Sequence, residues 1–143
     1  MARNKGIVRF HLLEPFAFSE RKKLKEAIAE LMAEESKPFA SLDYIFCSDE
    51  YLLDINQNFL NHDDLTDIIT FDLSDNVEEL KGEIYISVER VKDNSIVFNT
   101  SFQEELTRVV FHGALHLCGY NDKSKKDQVA IRLKEDYYLA RLS

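Results

Sequence analysis

Two histidines four residues apart are the side chains in this sequence best suited to bind a metal ion. His112 and His116 lie inside the apolar segment 106–118, which Gly119 follows. In an α-helix, positions i and i+4 share one face, so both imidazoles can reach the same ion. Asp122, just beyond the glycine, is the candidate third ligand, because catalytic zinc takes three ligands from His, Asp, Glu or Cys and keeps one position for water. The spacing predicts one zinc ion, or another divalent metal, at the end of this helix.

The same two histidines have a second interpretation as hydrogen-bonded residues of the core. A pair at this spacing can arise by chance in a chain with four histidines, which is the usual risk of short motifs. Two imidazoles on a nearly wholly apolar helix would, however, need polar partners inside the core. Gly113 occupies the position at which zinc proteases of the His-Glu-x-x-His type carry their general base. The sequence therefore argues against protease chemistry.

The elements that must position these side chains follow from the pattern of apolar residues. Segments rich in β-branched and aromatic residues predict four strands, at 6–12, 41–47, 67–73 and 82–87, with the last two forming an antiparallel hairpin. Helical periodicity predicts helices over 19–36, 48–60 and 88–98, a fourth from 101 past 118, and a last one from 124 onward. The predicted N-caps are Ser19, Ser48, Ser101 and Ser124.

The helix with the two histidines is apolar on most sides, which predicts that it is the central buried helix. In the last helix, Val129, Leu133 and Tyr137 are expected to face inward. The whole chain, 1–143, is expected to form one α+β domain, a mixed four-stranded sheet packed with helices, with the metal site on the central buried helix.

Composition narrows the class of protein. No apolar segment approaches the roughly 18 residues that cross a membrane, and the first residues lack a secretory apolar region, so we expect a cytoplasmic protein with no membrane partner. Cys47 and Cys118 have no CxxC spacing and are interpreted as buried, reduced thiols. The net charge of −8 argues against a protein that wraps nucleic acid with its whole surface, but it leaves room for a local basic patch. The lysines after Asp122 form such a patch: Lys123, Lys125 and Lys126.

Three motifs occur in a fixed order along the chain. The first comprises Asn56, Phe59 and segment 63–71 (DDLTDIITF), the second is segment 82–84 (GEI), and the third is segment 112–120 (HGALHLCGY). Together they resemble the YbeY family of metal-dependent endoribonucleases, also called rRNA maturation factors. The resemblance implies cleavage of single-stranded RNA in rRNA maturation and ribosome quality control. It further implies one zinc ion as the cofactor, and rRNA precursors and ribosomal components as partners, with no DNA partner expected.

Two positions differ from the usual pattern of that family. The third zinc ligand is usually a histidine, and the register of the resemblance places it at Asp122. A carboxylate oxygen also binds zinc and suits harder divalent metals better. The arginine that the family usually carries falls at Leu60. If the chain is a nuclease, another cation must therefore meet the phosphate.

Arg108 is the first candidate for that cation, because it lies one turn before His112 on the same helix face. A salt bridge to Glu104 or Glu105 is the alternative role for its guanidinium group. His62, two positions beyond the missing arginine, is a second candidate, and the lysines after Asp122 are expected to meet RNA phosphates.

These features lead to the hypothesis of a metal-dependent endoribonuclease acting in rRNA maturation. His112, His116 and Asp122 would hold the metal, and Arg108 would be the catalytic cation. Two alternatives stay open. One is a ribosome-assembly factor without catalysis, in which the metal is structural. The other is a metal hydrolase of a substrate other than nucleic acid, which the net charge of −8 slightly favours.

Overall fold

The computed structural model describes residues 6–59, 66–75 and 79–142, which form one four-stranded sheet and five helices. In chain order the elements are β1 (Ile7–Leu12), α1 (Arg21–Glu34), β2 (Phe39–Cys47), α2 (Asp49–Phe59), β3 (Ile68–Asp72), β4 (Leu80–Ser87), α3 (Val88–Val97), α4 (Phe102–Leu117) and α5 (Lys125–Leu142). The strand order in the sheet is β1-β2-β4-β3. β1, β2 and β4 are parallel, and β3 pairs with β4 in the antiparallel direction. The predicted α+β fold with a mixed sheet and a β3–β4 hairpin is confirmed.

The sheet buries its two faces against different helices because side chains alternate along a strand. On β4, Ile84 and Ile86 belong to the large core, which also contains side chains of α1, α4 and α5. Tyr85, between them, packs against the small core that α2 forms with the opposite face. The candidate metal-binding helix, α4, therefore lies on the face of the sheet that carries most of the core.

α4 is the central buried helix, as the sequence predicts. Leu106, Val110 and Leu115 are fully buried along it. An added Cβ at Gly113 would lie 2.8 Å from a methyl carbon of Ile84 and 2.9 Å from one of Ile68. The helix therefore meets the sheet too closely for any larger residue. The position at which a zinc protease carries its glutamate is thus closed by packing.

Three of the four predicted N-caps are confirmed. The hydroxyl groups of Ser48, Ser101 and Ser124 each accept a hydrogen bond from the backbone N–H three residues later, at 3.1, 3.0 and 3.1 Å. The prediction for Ser19 is wrong, because α1 begins at Arg21 after Glu20, which has a left-handed backbone with φ 56° and makes no side-chain cap bond. Caps are local features, so the sequence fixes most of them without knowledge of the tertiary contacts.

The predicted orientation of α5 is wrong. Its side chains Val129, Leu133 and Tyr137 are exposed, by 57%, 63% and 44%. The buried face instead carries Ile131, Glu135 and Tyr138. A buried carboxylate needs charged or hydrogen-bonding partners, and Glu135 finds them on α4. Those partners lie far away in sequence, so periodicity along α5 alone favours the wrong face.

Both cysteines are free thiols, as predicted, but only Cys47 is fully buried, whereas Cys118 is partly exposed. Burial raises the pKa of the Cys47 and Cys118 thiols to about 12, so neither is a reactive thiolate near neutral pH. No helix in the described ranges is long and apolar enough to cross a membrane.

Candidate active site

His112 and His116 share one face of α4, as their spacing predicts. The centroids of their rings are 6.4 Å apart and the ring planes are within 9° of parallel. Nε2 of His112 lies 3.4 Å from Oδ2 of Asp122, the predicted third ligand. The structure thus brings the first histidine and the aspartate into direct proximity, with the second histidine one turn along the helix.

Glu135 of α5 holds the ring of His112 from the other side. Oε2 of Glu135 lies 2.7 Å from Nδ1 of His112, and the glutamate side chain is only 4% exposed. An ionised carboxylate can only accept a hydrogen bond, so Nδ1 is the donor and carries the proton. In the neutral imidazole this leaves the lone pair of Nε2 on the side of Asp122. A histidine that ligates a metal through one nitrogen and donates to a carboxylate through the other is a common arrangement in metal sites.

The charges around His112 favour a cation at this point. Burial alone lowers the pKa of His112, but the hydrogen bond and the charge of Glu135 outweigh it, with further help from Asp122 and Asp67. The net result is a raised pKa. A neutral ring would turn its Nε2 lone pair toward the Asp122 carboxylate, an arrangement that a proton or a metal cation between them would stabilise.

Arg108 makes ion pairs with α5 rather than with its helix neighbours. Its guanidinium group donates to Oε1 of Glu135 at 2.9 Å and to Oδ1 of Asp136 at 2.7 Å. The alternative prediction, a salt bridge of Arg108, is therefore confirmed as an interaction, but its partners are Glu135 and Asp136 instead of Glu104 or Glu105. Because Arg108 and His112 both bind Glu135, one buried carboxylate links them. The predicted contact of Arg108 with a phosphate stays a prediction.

The chain turns directly after α4 and returns Asp122 to the histidine face. Gly119 has φ +109°, a backbone conformation that side-chain-bearing residues rarely adopt. The N–H of Tyr120 donates to the carbonyl of Leu115 at 3.2 Å, which closes the turn. The side-chain amide of Gln128 then donates to the backbone carbonyl of Asp122 at 2.9 Å. The candidate ligand loop is therefore tied to α5 at its far end.

Both histidines line a cleft of about 1060 Å³, which also contains Asp122 and residues of α2, β3, α3 and α5. Two further acids, Asp67 and Glu105, lie in its wall. Burial raises the pKa of both carboxyl groups, opposed at Asp67 chiefly by the charge of His112. The basic residues of the cleft wall are Arg108, Lys125 and Arg132. The cleft is acidic near the histidines and carries cations on α5.

The residue types fit a divalent metal. Two imidazole nitrogens and one carboxylate are an ordinary ligand set for zinc, and the orienting carboxylate of Glu135 is already in place beside His112. Among the described residues, no three His, Cys, Asp or Glu side chains are close enough together to form a complete ligand group. The assignment of His112, His116 and Asp122 as ligands therefore stays a prediction that the geometry around His112 supports.

The first of the three sequence motifs also reaches the cleft. Asn56 is 6% exposed and lines it together with Thr66 and Asp67. Leu60 and His62, between them in sequence, lie outside the described residues. The sequence interpretation gave no role to Glu135. The sequence contained one signal for such a role, because Glu135 falls at helical spacing between Ile131 and Tyr138, two residues of an otherwise apolar row.

The first and third motifs, far apart in sequence, thus meet around one cleft. The model of the endoribonuclease YbeY family matches residues 15–143. This chain belongs to the YbeY endoribonuclease family. Within that family, the endoribonuclease YbeY of Flavobacterium psychrophilum is 51% identical over 109 residues, covering 76% of this chain and 77% of that protein. The endoribonuclease YbeY of Flavobacterium johnsoniae is 45% identical over 134 residues, covering 94% and 96%.

A solved structure supports the YbeY assignment at the level of the fold. The solution structure of TM1509 from Thermotoga maritima is similar to this chain with a TM-score of 0.64 and 30% identity. The similarity covers 95% of this chain and 88% of that protein. The arrangement of sheet and helices described above is therefore shared over nearly the whole chain.

Proposed function

We propose that this protein is a metal-dependent endoribonuclease that cuts single-stranded segments of rRNA precursors. The observation that carries the proposal is the pairing of His112 with the buried Glu135, which fixes the ring with Nε2 toward Asp122 in a wide cleft. Two relatives with 51% and 45% identity, both called endoribonuclease YbeY, support RNA as the substrate. An rRNA precursor as substrate implies the cytoplasm as the place of action, with ribosomal components nearby.

His112, His116 and Asp122 would hold one divalent ion, zinc being the first choice for two imidazoles and a carboxylate. When bound, such an ion supplies an acidified water near neutral pH and positive charge for phosphate oxygens. Glu135 keeps the proton on Nδ1 of His112, so that Nε2 stays free for ligation. Arg108 neutralises Glu135 and thereby holds α5 against the histidine face.

Cleavage requires an attacking water, a phosphodiester held nearby and cations that neutralise the negative charge on the phosphate oxygens. Lys125 and Arg132 line the cleft and have exposed side chains that can meet phosphate oxygens. Arg108 has further N–H groups beyond the two in its ion pairs, so it is also a candidate for phosphate contact. The whole chain, 1–143, would act as one catalytic domain.

The test is cleavage of an unstructured oligoribonucleotide by purified protein, with added zinc, manganese or magnesium and with a chelator. His116→Ala should lower the cleavage rate by at least about 10- to 100-fold. Loss of a residue that only orients a metal ligand already costs that much, and His116 is itself a predicted ligand. His11→Ala is the matched control, because His11 lies on β1 and contacts Asp43 instead of the cleft. The proposal fails if His116→Ala cleaves as the parent protein does, or if the chelator has no effect.

The same assay separates the two alternatives. A ribosome-assembly factor with a structural metal would bind RNA without cutting it, and His116→Ala would then lower stability alone. A hydrolase of another substrate would neither bind nor cut RNA, even at low salt, where phosphate contacts are strongest.

A further inference from the structure

One face of α5 forms an exposed row along the cleft. Lys125, Val129 and Leu133 follow one another at intervals of four, and Gln128 and Arg132 form the adjacent row. All five side chains are exposed and all five line the cleft. Residues at intervals of three and four lie on the same helix face. The helix therefore presents a stripe of mixed cationic and apolar side chains to the cleft.

Phe98 lines the same cleft from the end of α3, and its side chain is 55% exposed. Its position is fixed by the closing turn of that helix. The N–H of Phe98 donates to the carbonyl of Asn94 at 2.9 Å, and the N–H of Thr100 donates to that of Ser95 at 2.9 Å. A large aromatic ring is thus carried on a well-held backbone at the cleft, half open to solvent.

These apolar side chains are not needed to complete the core. Val129 and Leu133 are 57% and 63% exposed, while the buried face of α5 is supplied by other residues. A group of exposed apolar side chains beside a cleft marks a binding surface more often than a packing error. Lys125 and Arg132 lie among them. Neither forms a salt bridge in the described part of the chain, although the charge of Arg132 acts on Glu105 and partly offsets the rise that burial causes in the pKa of that carboxyl group. In a protein with a net charge of −8, two exposed cations on this stripe favour an anionic occupant.

We propose that Phe98, together with Val129 and Leu133, forms a platform on which an unpaired RNA base stacks next to the bond that is cut, while Lys125 and Arg132 hold the flanking phosphates. This inference rests on the proposed function and deepens it by naming how single-stranded RNA is selected. An aromatic ring accepts the face of any base, so stacking gives affinity without sequence preference. A base in a duplex is already stacked and paired, and its faces are not available.

The occupant is argued to be a nucleotide because the surface combines three properties. It has an aromatic ring, exposed apolar side chains and cations at helical spacing, all of which line the cleft that contains His112. A partner protein could also contact an aromatic ring and an arginine, but this surface lies inside the cleft that contains His112 and Asp122, where the RNA of the proposed function would bind. The chemistry of a nucleotide, with a flat base and a charged phosphate, uses all three properties.

The test measures binding of a short unstructured oligoribonucleotide, with phosphorothioate linkages to slow cleavage, by fluorescence anisotropy at low salt. Phe98→Leu keeps the apolar bulk and removes the ring, and it should weaken binding about 5- to 150-fold, the range for loss of one stacked base. Phe98→Tyr keeps the ring and should bind within about twofold of the parent protein. Ile96→Ala is the control, because Ile96 is 78% exposed near the end of the same helix but does not line the cleft.

A second arm uses an oligoribonucleotide with abasic sites. The difference between the parent protein and Phe98→Leu should then disappear, since no base remains to stack. The proposal of a stacking platform is refuted if Phe98→Leu binds RNA as tightly as the parent protein does. A partner protein would then be the better candidate for binding to this surface. If that variant binds normally while the parent protein still cuts RNA, the proposed function stands without the platform. If the parent protein does not bind RNA at all, both fall.

Discussion

Oε2 of Glu135 lies 2.7 Å from Nδ1 of His112 and thereby joins α5 to the candidate metal-binding face of α4. The glutamate comes from the one helix whose orientation the sequence mispredicts. The contact stabilises both residues, because Glu135 gives the half-buried His112 a hydrogen-bond partner and His112 gives the buried carboxylate a hydrogen-bond donor. The metal site and the packing of the last helix are therefore one structural feature.

Glu135→Gln should weaken zinc binding by about 10- to 100-fold, the usual cost of losing a carboxylate that orients a ligating histidine. The reason is that the amide no longer fixes the proton on Nδ1 of His112. Competition with a chromophoric chelator measures the affinity. Asp136→Asn is the matched control, because Asp136 also binds Arg108 but is exposed and makes no contact with His112. Equal zinc affinity of Glu135→Gln and the parent protein would refute the orienting role.

Arg108→Ala should lower the free energy of unfolding by about 3 kcal/mol or more, because it leaves Glu135 buried without its cation. The pair is largely shielded from water, with side-chain exposures of 17% for Arg108 and 4% for Glu135. Urea denaturation measures the loss. Arg9→Ala is the control, since Arg9 pairs with Asp43 on the exposed side of β1 and its side chain is 48% exposed. A smaller loss is expected there, and equal losses in the two variants would contradict the prediction.

The acid side of the stability curve should depend on Glu35. Burial raises the pKa of this carboxyl, but hydrogen bonds from Tyr138, Tyr120 and Lys134 outweigh it and leave the pKa below its usual value. A carboxyl with a lowered pKa in the folded state stabilises the protein above its unfolded pKa. That contribution is lost as the pH falls from about 4.5 through the folded value.

Glu35→Gln should therefore reduce the unfolding free energy near neutral pH and make it fall less steeply in acid. Denaturation curves collected at a series of pH values give the comparison. Glu30→Gln serves as the control, because Glu30 is exposed on α1, the helix that ends directly before Glu35. If the parent protein and Glu35→Gln differ by the same amount at every pH, the carboxyl is not the titrating group.

Ser101→Ala should cost about 0.5–2 kcal/mol of stability, because its hydroxyl caps the helix with both histidines. Ser19→Ala should cost less, although the sequence places a cap at both positions. The hydroxyl of Ser19 caps no helix and lies 3.5 Å from the side chain of Gln103. Thermal unfolding of the two variants checks the difference, and a larger loss for Ser19→Ala would contradict the described start of α1.

The sequence was sufficient for those features that depend on local rules. The four strands and the Ser101 cap depend on residues near one another in sequence, and both predictions are confirmed. The i, i+4 spacing also places His112 and His116 on one face, because helix geometry needs no tertiary information.

The remainder of the site depends on contacts between distant residues. The burial of Glu135 is stable only because Arg108 and His112, on another helix, supply a cation and a hydrogen-bond donor. Periodicity scores a glutamate as exposed and Val129 as buried, so it selects the wrong face of α5. The close approach of Gly113 to Ile84 cannot be predicted from the sequence either, because it depends on the packing distance between α4 and the sheet.

Diffraction at the zinc absorption edge, from crystals of the purified protein, shows whether His112, His116 and Asp122 hold one divalent ion. We expect a single anomalous peak about 2.0–2.2 Å from Nε2 of His112, a ring nitrogen of His116 and a carboxylate oxygen of Asp122. Crystals of His116→Ala should lose most of that peak, whereas crystals of His11→Ala should keep it. A peak bound to other residues, or zinc-supplemented crystals with no peak at these three side chains, would contradict this assignment of the metal ligands.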